Sequence, residues 1–213
     1  MGLMQAFQGT ALGKVLLRAF GRKHARIGLY GPPNAGKTTL ANRIARDFTG
    51  ETVGVASPVP HETRRVRKKA DIDLKSNGGR IHIDVIDTPG IATQIDFHEF
   101  VEDHGMVEEE ARRRAKEATE GVIEAIRWLD DVDGVLLVMD SAEDPFTQVN
   151  VTILGNLEAR RLPVIIVANK IDLPEASPAT LKAAFPQHPV VPVSAGEGTN
   201  MDALYEAIAK HFR

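Results

Sequence analysis

The fold of this chain is decided by the stretch Gly31-Pro-Pro-Asn-Ala-Gly-Lys-Thr-Thr39, which lies between a short apolar run and a segment of helical pattern. Residues 27–30 are typical of a strand, and residues 40–46 are typical of a helix. A G-x-x-x-x-G-K-S/T pattern between a strand and a helix indicates a phosphate-binding loop. Its glycines let successive N–H groups point inward, and the helix N-terminus adds the positive end of its dipole. We therefore expect a nucleotide-phosphate site at residues 31–39.

Composition narrows the class of protein. The 213 residues are 43% hydrophobic and 26% charged, which suits one globular domain with a sizeable core. The absence of cysteine excludes disulfides and thiolate chemistry and agrees with a reducing, cytoplasmic location. A net charge of −3 gives no global attraction to nucleic acid or membrane, and no apolar run approaches the roughly 20 residues of a membrane span.

The N-terminal region, residues 1–25, is predicted to be a basic amphipathic helical extension, followed by one nucleotide-binding domain at residues 26–213. Residues 1–26 contain no acidic residue and carry Lys14, Arg18, Arg22, Lys23 and Arg26. Such a helix can contact an anionic membrane peripherally through residues 1–22, clasp a partner, or pack on the chain's own sheet. The sequence leaves these three alternatives open.

The strand pattern defines the architecture. Alternating residues in 66–74 and 80–86 flank an Asn-Gly turn, which predicts an antiparallel hairpin. The continuous apolar runs 134–140 and 163–168 are typical of strands buried on both faces of a parallel sheet. Helical segments are expected at 107–126, 146–161 and 200–212, with a last strand at 190–193. This alternation predicts an α/β fold with a doubly wound, mostly parallel sheet and one antiparallel edge hairpin.

Three further motifs follow predicted strands, at the ends where such sheets bind ligands: Asp87-Thr-Pro-Gly90, Asn169-Lys-Ile-Asp172 and Ser194-Ala-Gly196. Asp87 can hold Mg²⁺ through water, and the Gly90 N–H can bond a γ-phosphate oxygen. Lys37 is expected at the β- and γ-phosphates and the Thr38 hydroxyl on Mg²⁺.

The same motifs predict a guanine base. Asp172 can accept from the two N–H donors on one edge of guanine, and Asn169 can bond the other edge and tie the loop. The Lys170 stem would cover the base, and the Ala195 N–H would donate to the guanine carbonyl. The predicted nucleotide-binding residues are Gly31, Pro32, Pro33, Asn34, Ala35, Gly36, Lys37, Thr38, Thr39, Asn169, Lys170, Asp172, Ser194, Ala195 and Gly196.

With these four motifs, the chain resembles small GTPases of the translation-factor-related class, closest to the Era-like branch, over about residues 26–213. The resemblance implies binding of GTP and GDP with Mg²⁺, slow hydrolysis of GTP, and a switch between two states. It also implies a threonine that ligates Mg²⁺ only with GTP bound; Thr63 matches best, and Thr52 is weaker because it lies near the first helix. The implied metal-binding residues are thus Thr38, Thr63 and Asp87.

The chain departs from this branch in two places. Era proper carries an RNA-binding KH domain after its GTPase domain, whereas this sequence stops at Arg213, so contact with RNA or the ribosome rests on resemblance alone. Residues 96–110 hold seven acidic residues without Lys or Arg, either as a lineage-specific binding element or as a solvated loop. An effector or activating protein and a nucleotide-dependent dimer are further candidate partners.

Catalysis is the least determined feature. Ile91 stands where Ras-type enzymes carry the glutamine that positions water, and Gln94 is an unsupported substitute. Asn34 matches a loop asparagine that helps some Era-like members bind K⁺, although plain loop packing explains it equally well. The candidate catalytic residues are Lys37, Thr63, Gly90 and Asn34. Two hypotheses follow: a GTP-hydrolysing switch, or a GTP-dependent recruitment module with vestigial hydrolysis, docked through its N-terminal helix.

Overall fold

The computed structural model describes residues 24–49, 67–76, 79–92, 97–102 and 105–212. Residues 1–23 of the predicted N-terminal helical extension lie outside the described residues, as do Thr52, Thr63 and Gln94, whereas its last two residues, 24 and 25, belong to a strand. None of the described helices combines the length and the apolar character that crossing a membrane requires.

The strands of the described residues form one sheet in the order β2-β3-β1-β4-β5-β6. Their bounds are β1 (His24–Tyr30), β2 (Arg67–Ser76), β3 (Gly79–Asp87), β4 (Gly134–Asp140), β5 (Val164–Asn169) and β6 (Val190–Pro192). Every neighbouring pair is parallel except β2 and β3, which run antiparallel at one edge. The expectation of a mostly parallel sheet with an antiparallel edge pair is confirmed.

Helices cover both faces of this sheet. Within the described residues they are α1 (Lys37–Thr49), α2 (Phe97–Glu102), α3 (Glu108–Trp128), α4 (Gln148–Ala159), α5 (Pro178–Ala184) and α6 (Met201–His211). α1 and α6 pack on one face through side chains such as Leu40 and Leu204. α3, α4 and α5 pack on the other through Ala125, Leu157 and Leu181. The central strands β4 and β5 are buried along their whole length, as their apolar runs predicted.

Two features of the fold differ most from those expected. β1 begins at His24 rather than within residues 27–30, because His24 and Ala25 already pair with His82 and Ile83 of β3. The predicted division at residue 26 therefore falls inside this strand. The second difference is the short helix α5, which the sequence pattern did not predict.

The acidic stretch 96–110 is not one continuous loop. Phe97–Glu102 forms α2, and Glu108–Glu110 form the first turn of α3, where carboxylates interact favourably with the helix dipole. The Glu108 carboxylate also bonds Arg112 one turn later, at 2.7 Å. Because this pair is exposed, it contributes little to stability, at most about 0.5 kcal/mol.

Candidate functional site

The four predicted motifs meet at one edge of the sheet. The phosphate loop follows β1, Asp87 ends β3, Asn169 ends β5, and Ser194 follows β6. After β1 the chain forms β2 and β3 on one side of that strand and then crosses to β4 on the other side, so the loop after β1 lies at the point where the strand order reverses. Ligands of doubly wound sheets bind at such a point, outside the carboxyl ends of the strands.

The phosphate loop has a backbone that two of its glycines make possible. Gly31 and Gly36 adopt positive φ angles of 149° and 92°, where other residues are strained. A Cβ atom at Gly31 would lie 2.2 Å from the Val138 carbonyl oxygen, and one at Gly36 would lie 2.2 Å from the Asn169 Nδ2. Both positions therefore exclude a side chain. Asn34, between them, is exposed with a φ of 58°.

Lys37 begins α1 with its side chain folded over the loop. Its residue is only 6% exposed, and its Nζ donates to the Pro32 carbonyl oxygen at 2.7 Å. Burial lowers the pKa of this ammonium to about 8, and the Asp87 carboxylate partly offsets the shift. A phosphate in the loop would supply the negative charge that a buried cation requires.

Thr38 and Asp87 bring two oxygen ligands together. The Thr38 hydroxyl donates to the Asp87 Oδ2 at 2.8 Å, and Asp87 is fully buried at the end of β3. Hydroxyl and carboxylate oxygens suit Mg²⁺, a hard cation that is commonly held by one or two protein groups and by phosphate. These residues therefore fit the predicted magnesium site. Thr63, the third predicted ligand, lies outside the described residues.

The segment after β3 lies directly against the phosphate loop. A Cβ atom at Gly90 would lie 2.8 Å from the Pro33 Cα, and the Ile91 N–H donates to the Gly31 carbonyl oxygen at 3.1 Å. The Thr88 hydroxyl donates to the Leu29 carbonyl oxygen at 2.6 Å and fixes the start of the segment. The Ile91 side chain is buried in the core beneath α3, α4 and α5. Ile91 thus has a packing role in this conformation.

Asn169 joins the phosphate loop to the loop after β6. Its Nδ2 donates to the Ala35 carbonyl oxygen at 2.8 Å, and its Oδ1 accepts from the Ala195 N–H at 3.0 Å. The sequence predicted that Asn169 would tie a loop, and these contacts show which two loops it ties. The Ala195 N–H, expected to donate to guanine, donates here to Asn169. Ser194 caps the turn that follows, because its Oγ accepts from the Glu197 N–H at 3.1 Å.

Sequence reasoning missed two charged residues of the site. Asp140, at the end of β4, accepts from the Lys170 Nζ at 2.6 Å and so holds a predicted base-covering side chain. Its position at the carboxyl end of a strand was the available signal. Arg43 of α1 bonds the Ala195 and Gly196 carbonyl oxygens, and no motif marks it. Asp172 is exposed and therefore accessible to a base.

Comparison with known proteins agrees with this arrangement. GTPase Era of Geobacter metallireducens is 33% identical over 190 residues, covering 86% of this chain and 54% of its own length. The solved structure of an Aquifex aeolicus Era variant bound to GDP and AlF4⁻ aligns with a TM-score of 0.67 at 25% identity, covering 89% of this chain and 57% of that one. Era in complex with MgGDPNP and nucleotides 1506–1542 of 16S ribosomal RNA aligns with a TM-score of 0.66 at 25% identity, covering 90% and 57%.

The chain spans about half the length of the curated relatives it matches. The family described as 50S ribosome-binding GTPase matches residues 26–170, which include β1, the phosphate loop, and the ends of β3 and β5 where Asp87 and Asn169 lie. These residues are the greater part of the chain. By this match and by the site that its motifs form, the chain belongs to the 50S ribosome-binding GTPase family.

Proposed function

We propose that this protein binds GTP and GDP with Mg²⁺, hydrolyses GTP slowly to GDP, and acts as a nucleotide-dependent switch. The observation that carries the proposal is the Asn169 side chain, which links the phosphate loop to the loop of Ala195. These contacts support the proposal because they join the proposed phosphate-binding and base-binding groups in one connected site.

Several of the predicted site residues have a specific role in this proposal. Lys37 neutralises the β- and γ-phosphates, and the backbone of residues 31–36 donates N–H groups to them. Thr38 and Asp87, with Thr63 in the GTP state, hold Mg²⁺, which neutralises charge on the phosphate oxygens when it is bound. Gly90 bonds the γ-phosphate through its N–H. Asp172 accepts from guanine, and its carboxylate would be left unpaired against adenine.

The base assignment is tested by titrating the protein with GTP and with ATP. We expect GTP to bind more tightly by a factor on the order of 10³, below that of a fully buried polar site because Asp172 is exposed. Equal affinities would overturn the guanine assignment. Lys37→Ala is the matched test of the phosphate loop, because it should abolish binding of either nucleotide.

Slow turnover is expected because Ile91 offers no group that positions water. Its side chain is buried, and a hydrocarbon neither donates nor accepts a hydrogen bond. K⁺ bound with the help of Asn34 would supply positive charge near the transferred phosphate. Asn34 supports this role because its amide is exposed on the phosphate loop itself.

The test of this role is single-turnover hydrolysis in matched K⁺ and Na⁺ buffers. K⁺ should accelerate hydrolysis by about tenfold or more, and Asn34→Ala should remove that acceleration while leaving GDP affinity largely intact. Identical rates in the two salts would exclude the K⁺ role and leave a partner-supplied group as the activator.

The second candidate function is a GTP-dependent recruitment module whose hydrolysis is vestigial. The buried Ile91 side chain favours it, because it leaves the position after Gly90 without a catalytic group. In this function, residues 1–22 would dock the protein to a partner or peripherally to a membrane from the cytoplasm. An effector, a nucleotide-dependent dimer, and the RNA that the Era complex contains are the partners to test, most directly by capture with the GTP-bound form.

A further inference from the structure

Arg43 connects two parts of the site that are far apart in sequence. It lies midway along α1, and its guanidinium donates from Nε to the Ala195 carbonyl oxygen at 3.1 Å and from Nη2 to the Gly196 carbonyl oxygen at 2.6 Å. One planar cation thus binds two consecutive carbonyl groups. The rigid fork of arginine suits such a paired contact, whereas the single ammonium of lysine does not.

The loop that Arg43 holds is also held from its other side. The Ala195 N–H donates to the Asn169 Oδ1 at 3.0 Å, while the Ala195 carbonyl accepts from Arg43. Both polar groups of this residue are therefore occupied, and Ala195 is 2% exposed. Two contacts on opposite sides determine where the Ala195 N–H lies relative to the base site.

The contact is also enclosed by its neighbours. A Cβ atom at Gly198 would lie 3.1 Å from the Arg43 Cζ, so the backbone of the loop passes close to the guanidinium. One turn further along α1, Asp47 accepts from the Tyr205 hydroxyl of α6 at 2.5 Å. The helix that begins with the phosphate-binding Lys37 is thus attached to the loop of Ala195 and to the helix after it.

We infer that Arg43 is a positioning residue for guanine recognition, holding the loop 194–196 so that the Ala195 N–H, which donates to the Asn169 Oδ1 in this structure, is in place to share its hydrogen with the carbonyl oxygen of the base. It acts through the loop and does not itself contact the nucleotide. The inference rests on the proposed binding of guanine. A purely structural Arg43 would add stability without affecting which bases are accepted, and this difference can be measured.

The probe is a pair of nucleotides, GDP and 6-thio-GDP. In 6-thio-GDP, a sulfur that accepts hydrogen bonds weakly replaces the carbonyl oxygen of the base. Wild-type protein should bind GDP about tenfold more tightly than 6-thio-GDP, because sulfur accepts hydrogen bonds poorly. Arg43→Gln should weaken GDP binding about tenfold and 6-thio-GDP binding by about twofold or less. Preference between the two nucleotides is therefore expected to shrink with the loss of Arg43.

Arg46→Gln is the matched control, since Arg46 is a basic, exposed residue of the same helix. It should leave both affinities unchanged. If Arg43→Gln lowers the melting temperature but keeps the wild-type preference for GDP over 6-thio-GDP, the residue is only structural and the inference is wrong. If wild-type protein itself shows no preference for GTP over ATP, the guanine assignment fails instead.

Arg43→Lys keeps the positive charge and protects the test against a variant that does not fold. Its ammonium carries three donors but lacks the planar fork that matches two consecutive carbonyl oxygens, so the preference of this variant for GDP over 6-thio-GDP should lie between those of wild type and Arg43→Gln. If Arg43→Lys prefers GDP over 6-thio-GDP as strongly as wild type does, the positive charge alone suffices, and the paired-contact argument is wrong.

Discussion

Asn169→Ala should destabilise the protein markedly even without nucleotide. The side chain is 2% exposed, and it makes the two contacts that join the phosphate loop to the loop after β6. Its loss leaves the Ala35 carbonyl and the Ala195 N–H without these partners, in residues that are 1% and 2% exposed. Each buried polar group left unpaired costs about 1–3 kcal/mol. Because water can reach part of the space vacated, we expect a loss of about 2–4 kcal/mol in the free energy of unfolding.

The assay is urea unfolding followed by far-ultraviolet circular dichroism, with thermal melting as a second measurement. A loss of this size corresponds to a fall in melting temperature of roughly 5–15 °C for a domain of this length. Asn156→Ala is the matched control, because the Asn156 Nδ2 also donates to a backbone carbonyl, at 2.8 Å, but lies exposed on α4. That control should change stability by less than about 0.5 kcal/mol. Equal effects of the two substitutions would refute the argument that Asn169 joins two buried loops.

Three further outcomes are expected. Asp172→Asn should shift the nucleotide preference from GTP toward xanthosine triphosphate, whose base offers an acceptor where guanine offers a donor. Competition binding measures this preference, and an unchanged preference would contradict the role of Asp172. Because burial lowers the pKa of Lys37 to about 8 from an ordinary 10.5, the unfolded chain keeps this proton over a pH range in which the folded protein has released it. The nucleotide-free protein should therefore gain about 2 kcal/mol in free energy of unfolding relative to Lys37→Met between pH 7 and pH 9.5. It should lose this gain again as the pH falls through 8. A difference between the two proteins that stays constant with pH in denaturant unfolding would contradict the shift in pKa. Deleting residues 1–22 should abolish weak, salt-sensitive binding to anionic vesicles while leaving GTP binding unchanged, since basic residues contribute roughly 1 kcal/mol each at such a surface. If the deletion variant is unfolded and the intact protein does not bind vesicles, the predicted helix has a structural role instead.

Local chemistry explains how much of the site the sequence could predict. The phosphate loop and the other three motifs are contiguous stretches, and their glycines and polar residues act through the backbone of the same few residues. The position of Asn169 at a strand end followed from the apolar run of β5, because a strand buried on both faces can be recognised from its continuous apolar residues. The motifs alone therefore indicated a guanine-nucleotide site, although the contributions of Asp172 and Thr63 stay predictions.

The sequence was less informative wherever the pattern was short or ambiguous. α5 contains 7 residues, too few for a helical period to stand out, and it was not predicted. The acidic stretch contains no Lys or Arg to indicate pairing within it, and its division between α2 and the first turn of α3 became visible only in the fold.

The tertiary structure alone decided which residues hold the motifs in place. Arg43 and Ala195 are 152 positions apart, Ala35 and Asn169 are 134 apart, and Asp140 and Lys170 are 30 apart. No spacing along a chain reveals such pairs, because they form only when the sheet brings its strand ends to one edge. The same holds for Ile91, whose identity suggested a missing catalytic group, whereas its surroundings show a side chain packed into the core. Chemistry within a loop was thus set by neighbouring residues, and the geometry between loops was set by the order of the strands.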